Sequence, residues 1–167
     1  MTPEPVADDA ARLRRAAAIT AAAVFVQLVV GAVMRHAEAG LAIPDFPLAF
    51  GRLVPPLGSA KVAIHFAHRV GAVVVTLLVA RLAWRATRSG DHRFARPALA
   101  LVGFTLLQLT LGATIILTQK AVYPTTFHVA VGAAILATSF FLAIRAAHLL
   151  RPTHRPLAQA PTPALAS

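Results

Sequence analysis

Three histidines lie inside apolar stretches that are long enough to cross a lipid bilayer. His65 and His68 are three residues apart in one stretch, and His128 lies in another. Ionisable side chains are costly at membrane depth, so a chain that keeps them there usually has a use for them. Imidazole is also a common protein ligand for heme iron and for other transition metals. These residue types therefore favour heme or metal binding inside a membrane.

Four apolar runs must position these histidines. They cover residues 16–34, 62–84, 98–118 and 123–149. The 167-residue chain is 57% hydrophobic and has a mean hydropathy of +0.70, well above the values of soluble domains. About 20 residues at 1.5 Å each cross a hydrocarbon core of about 30 Å. The sequence therefore predicts an all-α integral membrane four-helix bundle, with the lipid bilayer as its surroundings and one domain over residues 16–149.

Lysine and arginine are divided unevenly between the two sides of this bundle. Eleven arginines flank the start of the first run, the second connection and the end of the last run, whereas four basic residues flank the other two connections. Basic residues favour the cytoplasmic side, which predicts an N-in/C-in, multi-pass protein of the plasma membrane. Residues 1–15 then form a cytoplasmic tail and residues 150–167 a second, disordered one. The composition of residues 1–11 also predicts disorder.

Composition excludes several other classes of protein. The net charge of +10 does not predict a nucleic-acid partner, because the arginines cluster at helix ends, where anionic lipid head groups lie. The absence of cysteine excludes disulfides, thiolate ligands and iron–sulfur clusters. A transporter for hard cations is disfavoured, since none of the four runs contains an acidic residue.

A weak internal echo indicates a two-helix unit that is used twice. A Gln-Leu-x-x-Gly-Ala pattern begins at Gln27 in the first run and at Gln108 in the third. A histidine precedes a Gly-Ala step in the second run (His68) and in the fourth (His128). The echo puts these histidines at matching places in their helices. Alternatively, the Gly-Ala steps are ordinary contacts between packed membrane helices.

The depth of the two histidines makes this pairing concrete. At 1.5 Å per residue, His68 lies roughly 10 Å and His128 roughly 7 Å below the start of its run. Two imidazoles at similar depth on facing helices can clamp a planar macrocycle, with one ring on each side of its iron. The alternative is that each histidine forms a hydrogen bond across the bundle and binds no ligand.

Two further residues of the second run are candidates for the site. His65 shares a helix face with His68. It is an alternative ligand, a proton acceptor beside the cofactor, or a polar residue near the helix end. Arg69 directly follows His68, and a cation at this depth favours an anionic partner. That partner is either a heme propionate or a carboxylate of the first connecting loop, Glu38 or Asp45.

The loop and the second run resemble the heme A synthase family. Residues 40–47 read Gly-Leu-Ala-Ile-Pro-Asp-Phe-Pro, similar to the Gly-Leu-x-x-Pro-Asp-Trp-Pro of that family. The segment from His65 to Arg69 resembles its Glu-x-x-His-Arg motif, and the segments around Gln108 and His128 resemble its third helix and next histidine. The similarity covers roughly residues 20–145.

This resemblance implies a function and a set of site residues. The family oxidises the C8 methyl of heme O to the formyl group of heme A. Carried over to this chain, His68 and His128 match ligands of heme iron, and heme b is the implied cofactor. His65 falls where many members have a glutamate that takes part in catalysis. Arg69 follows the ligand position, as in the motif.

Three departures from the family keep a second function open. The family has eight helices and this chain has four, many bacterial members carry a loop cysteine pair, and His65 supplies no carboxylate. One expectation is a heme-modifying oxidoreductase that works as a homodimer, with Gly31 and Gly112 on the faces that meet a second copy. The other is a non-catalytic heme b-binding protein for electron transfer or assembly.

Overall fold

The chain folds into four long helices and, within residues 4–150, which the computed structural model describes, no β-strand. Helix α1 covers Glu4–His36, α2 Ala60–Arg88, α3 His92–Leu117 and α4 Val122–Leu149. Each helix is long and apolar enough to cross a membrane. The predicted all-α membrane bundle is confirmed.

The helices extend beyond the apolar runs that predicted them. Helix α1 begins at Glu4 rather than near residue 16, so residues 4–11, predicted to be disordered, are helical. Asp8 and Arg12 form an ion pair at 3.2 Å, one helical turn apart, which supports this extension. Hydropathy identifies only the segment suited to lipid, and a helix can continue into water. Residues 1–3 and 151–167, which include the tail predicted to be disordered, lie outside the described residues.

The four helices form a ring. Each helix packs against its neighbours in the chain, and α1 also packs against α4. Helices α1 and α3 therefore lie on one diagonal of the bundle, and α2 and α4 lie on the other. This is the up-down-up-down arrangement, which commonly holds cofactors between side chains of facing helices.

The two ends of the ring are filled differently. Where α1 begins and α2 ends, apolar side chains form a closed core in which Leu82, Leu101 and Leu142 are at most 1% exposed. The small residues Ala86 and Ala146, both 0% exposed, let the helices approach closely there. At the other end, which we call the loop end, the helices leave a cavity between them.

The connection between α1 and α2, residues 37–59, folds over the loop end. Ala39 and Ile43 from this loop are fully buried. The Asp45 carboxylate accepts hydrogen bonds from the backbone N–H groups of Phe50, at 2.7 Å, and Gly51, at 2.8 Å. These hydrogen bonds, that of Gly51 foremost, hold the pKa of Asp45 below its ordinary value. The loop is thus an ordered cap.

The short turn between α3 and α4 meets this cap. Gln119 and Lys120 have positive φ angles of 52° and 65°, which reverse the chain tightly after α3. The Lys120 side chain lies so close to Gly40 that a Cβ atom there would be 3.1 Å from its Cε. The two connections therefore meet over the cavity.

Candidate functional site

The cavity at the loop end contains the predicted site residues. Its volume is about 760 Å³, within the range of roughly 300–1,000 Å³ that is typical of ligand pockets. Its lining includes His65, His68, Arg69 and His128. His68 is eight residues from the start of α2 and His128 six from the start of α4, depths of about 12 and 9 Å. The two histidines face one cavity from diagonally opposite helices.

His68 is held by α1. Its Nδ1 lies 3.1 Å from the Gln27 Nε2, which also donates a hydrogen bond of 2.8 Å to the His68 carbonyl oxygen. A Cβ atom at Gly31 would lie 3.0 Å from the His68 Cε1, and one at Gly71 would collide with the Gln27 amide. Two glycines therefore make room for the imidazole and for the amide that fixes it.

His128 has the corresponding surroundings in α3, but not the corresponding hydrogen bond. A Cβ atom at Gly112 would lie 3.4 Å from the His128 Cε1, and one at Gly132 would lie 3.2 Å from the Gln108 Nε2. The Gln108 backbone carbonyl lies near the ring but not in hydrogen-bonding geometry. The His128 Nδ1 and the Gln108 Oε1 are both buried without a hydrogen-bond partner among residues 4–150. Most buried polar atoms in proteins are paired, so these two require an explanation.

The internal echo of the sequence therefore corresponds to a repeated site. In each helix pair, one helix supplies a glutamine and a glycine, and the next supplies the histidine. The glycines also act as packing residues, as the alternative interpretation held. The expectation that Gly31 and Gly112 face a second copy is wrong, because both point at the histidines of their own chain.

His65 lies at the edge of the cavity and contacts the cap. It is 3% exposed, with the Ile43 N–H 3.2 Å from its Nδ1 and the Arg69 Nε 3.3 Å from its Nε2. A neutral imidazole has only one acceptor nitrogen, so these two donors compete for it. Both ring nitrogens thus face groups of the chain itself.

Arg69 fastens the cap to α2 through backbone oxygens. Its guanidinium donates to the carbonyl groups of Leu48 at 2.8 Å, Asp45 at 2.7 Å and Ile43 at 3.2 Å. The expected ion pair of Arg69 with a loop carboxylate is not formed. The Asp45 carboxylate binds loop amides, and Glu38 pairs with Lys61 at 3.8 Å. Backbone carbonyls satisfy this cation because the loop folds directly over it.

Sequence reasoning missed other residues of the cavity. Gln27 and Gln108 appeared in the echo, but nothing in their spacing indicated that they lie beside the histidines. Arg35 and Lys120 line the loop end of the cavity, where they add positive charge to that of Arg69. Lys120 comes there through the contact between two loops, which local sequence does not reveal.

The residues present fit a heme. Two imidazoles on opposite walls would hold the iron of a heme, and one of them has a buried nitrogen without a hydrogen-bond partner among the described residues. Glycines leave space along the rings, and the cationic loop end suits two propionate groups. Fold and cavity together define a multi-pass membrane protein with a paired-histidine cavity.

Comparison with known proteins gives the family. The family model COX15-CtaA, described as cytochrome oxidase assembly protein, matches residues 2–140, and the chain belongs to this family. It is 33% identical over 169 residues to the heme A synthase of Rhodospirillum centenum, covering 93% of this chain and 44% of that protein. It is 44% identical over 86 residues to that of Symbiobacterium thermophilum, covering 48% and 28%.

The heme A synthase of Halalkalibacterium halodurans is 32% identical over 114 residues, which are 67% of this chain and 38% of that protein. The matched segment therefore covers less than half the length of each of these relatives, and the chain is about half as long as they are. No solved structure matches it.

Proposed function

We propose that this chain is a heme A synthase-like membrane protein that takes part in oxidising the C8 methyl of heme O to the formyl group of heme A. Family membership supports the class of reaction. The observation that carries the proposal is the pair His68 and His128, which line one cavity from opposite helices. Heme b is the proposed cofactor, and it supplies electron exchange when bound.

Each polar residue of the cavity has a role in this proposal. His68 and His128 ligate the iron. Gln27 and Gln108 lie beside the two rings; with each histidine bound to iron through one nitrogen, an amide oxygen turned to the N–H of the other nitrogen would orient the ring. Arg35 and Lys120 line the loop end of the cavity and would supply cations to the propionates.

We assign His65 and Arg69 to positioning the cap. Their ring nitrogens and guanidinium contact loop backbone or each other, and the fully buried Ile43 anchors the loop above them. Closing the cap keeps water from the cavity and so strengthens the electrostatic interactions inside it. A direct catalytic role for His65 requires one of its nitrogens to exchange its present contact for the substrate.

This arrangement of His65 favours a second candidate function. The resemblance puts a carboxylate at its position, whereas this chain has an imidazole engaged with its own loop. A non-catalytic heme b-binding protein for electron transfer or assembly needs the paired histidines and no carboxylate.

Heme analysis after co-expression with a heme O source tests the reaction. The proposal expects formyl heme in the extracted pigment, absent from His68→Ala and His128→Ala and present in a His92→Ala control. His92 is an exposed histidine at the start of α3, remote from the cavity. Bound heme b without conversion supports the second candidate instead. A protein that binds no heme contradicts both.

We further propose a homodimer in the plasma membrane. The cavity has one pair of opposed histidines, enough for one heme, whereas oxidation of a heme substrate beside heme b needs a second site. A second copy related by two-fold symmetry supplies it. Mass measurement in lipid nanodiscs tests this, and a strictly monomeric protein with one heme contradicts it.

Both termini are proposed to be cytoplasmic. The arginine distribution carries this proposal, since basic residues favour the cytoplasmic side. Single cysteines near Ser89 and in the cap, labelled in intact cells with a membrane-impermeant maleimide, test it. Labelling is expected in the cap only, and labelling near Ser89 would show that the orientation is the opposite of the proposed one.

A further inference from the structure

A second cavity lies at the end of the bundle remote from the histidines. It has a volume of about 400 Å³ and opens between the start of α1 and the end of α2. We call it the arginine pocket, after the residues that dominate its lining: Arg12, Arg15, Arg81 and Arg85. Neither the family nor the proposed heme chemistry accounts for it.

The positive charge in this pocket is poorly compensated. Among the residues that the structure describes, its lining contains no carboxylate. Arg12 has an ion-pair partner in Asp8, but the two side chains are 58% and 73% exposed, so their attraction is weak. The Nε of Arg85 is buried without a hydrogen-bond partner in the described part of the chain. A buried guanidinium nitrogen without an acceptor points to an anion that the chain does not itself supply.

Three other arginines at this end have partners within the protein, and Arg85 of the pocket itself lies over the ring of Trp84, 5.9 Å from its centre. Arg14 donates to the Leu150 carbonyl oxygen at 3.2 Å, and Arg93 pairs with Asp91 at 2.8 Å. Arg145 stacks on the ring of Phe141, 5.4 Å from its centre. Positive charge near the cytoplasmic side is common in membrane proteins, but here four arginines, two from α1 and two from α2, line one pocket.

We propose that the arginine pocket binds the phosphate group of an anionic phospholipid. The planar fork of a guanidinium matches two phosphate oxygens at once. The pocket lies at helix ends, where head groups lie, and basic pockets between membrane helices are known binding sites for them. Its lining also includes Ile19, which is 56% exposed, and Leu78. These apolar side chains are placed to contact the acyl chains below the phosphate.

The bound lipid joins the two helices that hold His68. Arg12 and Arg15 belong to α1, and Arg81 and Arg85 belong to α2. A phosphate between them stabilises the α1–α2 pair relative to the unfolded chain, in which the pocket does not exist. The lipid is therefore a structural ligand, independent of heme.

Native mass spectrometry of the detergent-purified chain tests the proposal. The probes are dioleoyl phosphatidylglycerol, dioleoyl phosphatidylcholine and inorganic phosphate. Phosphatidylglycerol is expected to bind in preference to phosphatidylcholine, and Arg81→Gln/Arg85→Gln to weaken its binding about tenfold or more. The matched control is Arg96→Gln/Arg145→Gln, which removes the same charge at the same end and is expected to bind as the parent protein does.

Several outcomes would overturn this proposal. They are equal binding of the two lipids, equal losses in the two double variants, or inorganic phosphate binding as tightly as phosphatidylglycerol. Circular dichroism of each variant without lipid shows whether it is folded. If Arg81→Gln/Arg85→Gln does not purify, the two single variants carry the same comparison. Arg85→Lys, which keeps the charge but loses the fork, is expected to bind the lipid several-fold more weakly than the parent.

Discussion

The two helix pairs of this protein contain corresponding glutamine, glycine and histidine residues, but the hydrogen bonding of these residues differs. In the α1–α2 pair, the Gln27 amide contacts His68, and a long loop closes over the end. In the α3–α4 pair, the Gln108 Oε1 and the His128 Nδ1 are buried without hydrogen-bond partners in the described part of the chain, and the helices are joined by a short turn. One half is organised before a ligand arrives, whereas the other has unused hydrogen-bonding groups.

This difference has an energetic consequence. A buried polar group without a partner costs about 1–3 kcal/mol. The α3–α4 pair therefore bears a cost that ligand binding can relieve, if the Gln108 amide turns to the His128 Nδ1–H when the other nitrogen ligates iron. Heme binding should accordingly tighten α3–α4 more than α1–α2.

Removing either histidine is expected to have the largest effect on heme. In the proposed site, His68→Ala and His128→Ala would each leave one histidine ligand, so the sharp reduced α-band of low-spin heme should disappear or be replaced by a weakly held high-spin species. Reduced-minus-oxidised spectra of the purified variants measure this. Full low-spin heme in both single variants contradicts ligation by the pair.

The same variants separate the two halves when no heme is bound. His68→Ala removes the ring contact of Gln27 and should lower the thermal midpoint of the apoprotein. His128→Ala removes an unpaired buried nitrogen and should lower it less, although both lose the packing of one ring. Equal decreases in the two thermal midpoints would show that the unpaired nitrogen of His128 does not affect the stability of the apoprotein.

The features of this site that could be predicted are those that the local sequence determines. The similar depth of His68 and His128 could be predicted because depth in a membrane helix depends only on the count of residues from its start, whereas their joint binding of iron stays a prediction. The roles of Gln27 and Gln108 depend on which faces of neighbouring helices meet, and local sequence does not determine this. The boundary of α1 was missed because hydropathy reports the lipid-facing segment and not the helix itself.

The cap was hardest to predict. Its motif was recognised, but of the two partners considered for Arg69 the loop carboxylate is excluded, because Arg69 contacts three backbone oxygens of the loop; a heme propionate stays a prediction. Once the loop folds over Arg69, its backbone carbonyl groups can accept hydrogen bonds from any neighbouring donor. No residue type in the sequence indicates which donor will lie there.

Substituting the paired glycines is expected to have the next largest effects, and the two variants should change the stability of the apoprotein in opposite directions. At Gly31 an added Cβ would be 3.0 Å from His68, whose ring Gln27 restrains, whereas at Gly112 it would be 3.4 Å from His128. Gly31→Ala is expected to destabilise the apoprotein by about 1–3 kcal/mol. Gly112→Ala makes ordinary contact and should stabilise it by roughly 0.5–1 kcal/mol through helix propensity.

Thermal unfolding in mild detergent measures both changes. A similar decrease in the two variants would mean that His128 is as firmly held as His68, which removes the contrast between the halves. A similar increase would mean that His68 moves aside freely.

The glutamines are expected to differ according to whether heme is present. Gln27→Leu leaves the His68 carbonyl oxygen without its hydrogen bond and should lower the apoprotein midpoint, whereas Gln108→Leu removes an unpaired oxygen and should not. Both should weaken heme binding about tenfold, since each removes the outer partner of a ligand. Heme titration and apoprotein unfolding, measured on the same preparations, distinguish the two effects. Unchanged heme affinity in Gln108→Leu would exclude its proposed role.

The smallest expected effect is confined to the cap, which only the α1–α2 pair possesses. The N–H groups of Gly51 and Phe50 lower the pKa of Asp45 from its ordinary value of 3.8. Because the folded pKa lies below the unfolded one, the carboxylate stabilises the cap fully above pH 3.8, and this contribution is lost as the pH falls through the folded pKa. Between pH 7 and 6 the contribution of Asp45 to the stability of the cap should not change.

Hydrogen exchange of the Phe50 and Gly51 amides measures this contribution. Protection should decrease under acid and be reduced at every pH in Asp45→Asn, whose amide accepts fewer hydrogen bonds. The α3–α4 turn is the internal control, because the Lys120 N–H bonds to the Ile115 carbonyl oxygen at 2.8 Å, with no carboxylate involved. If the Lys120 amide loses protection in parallel with Gly51, acid is loosening the whole loop end, and the separate closure of the α1–α2 half is refuted.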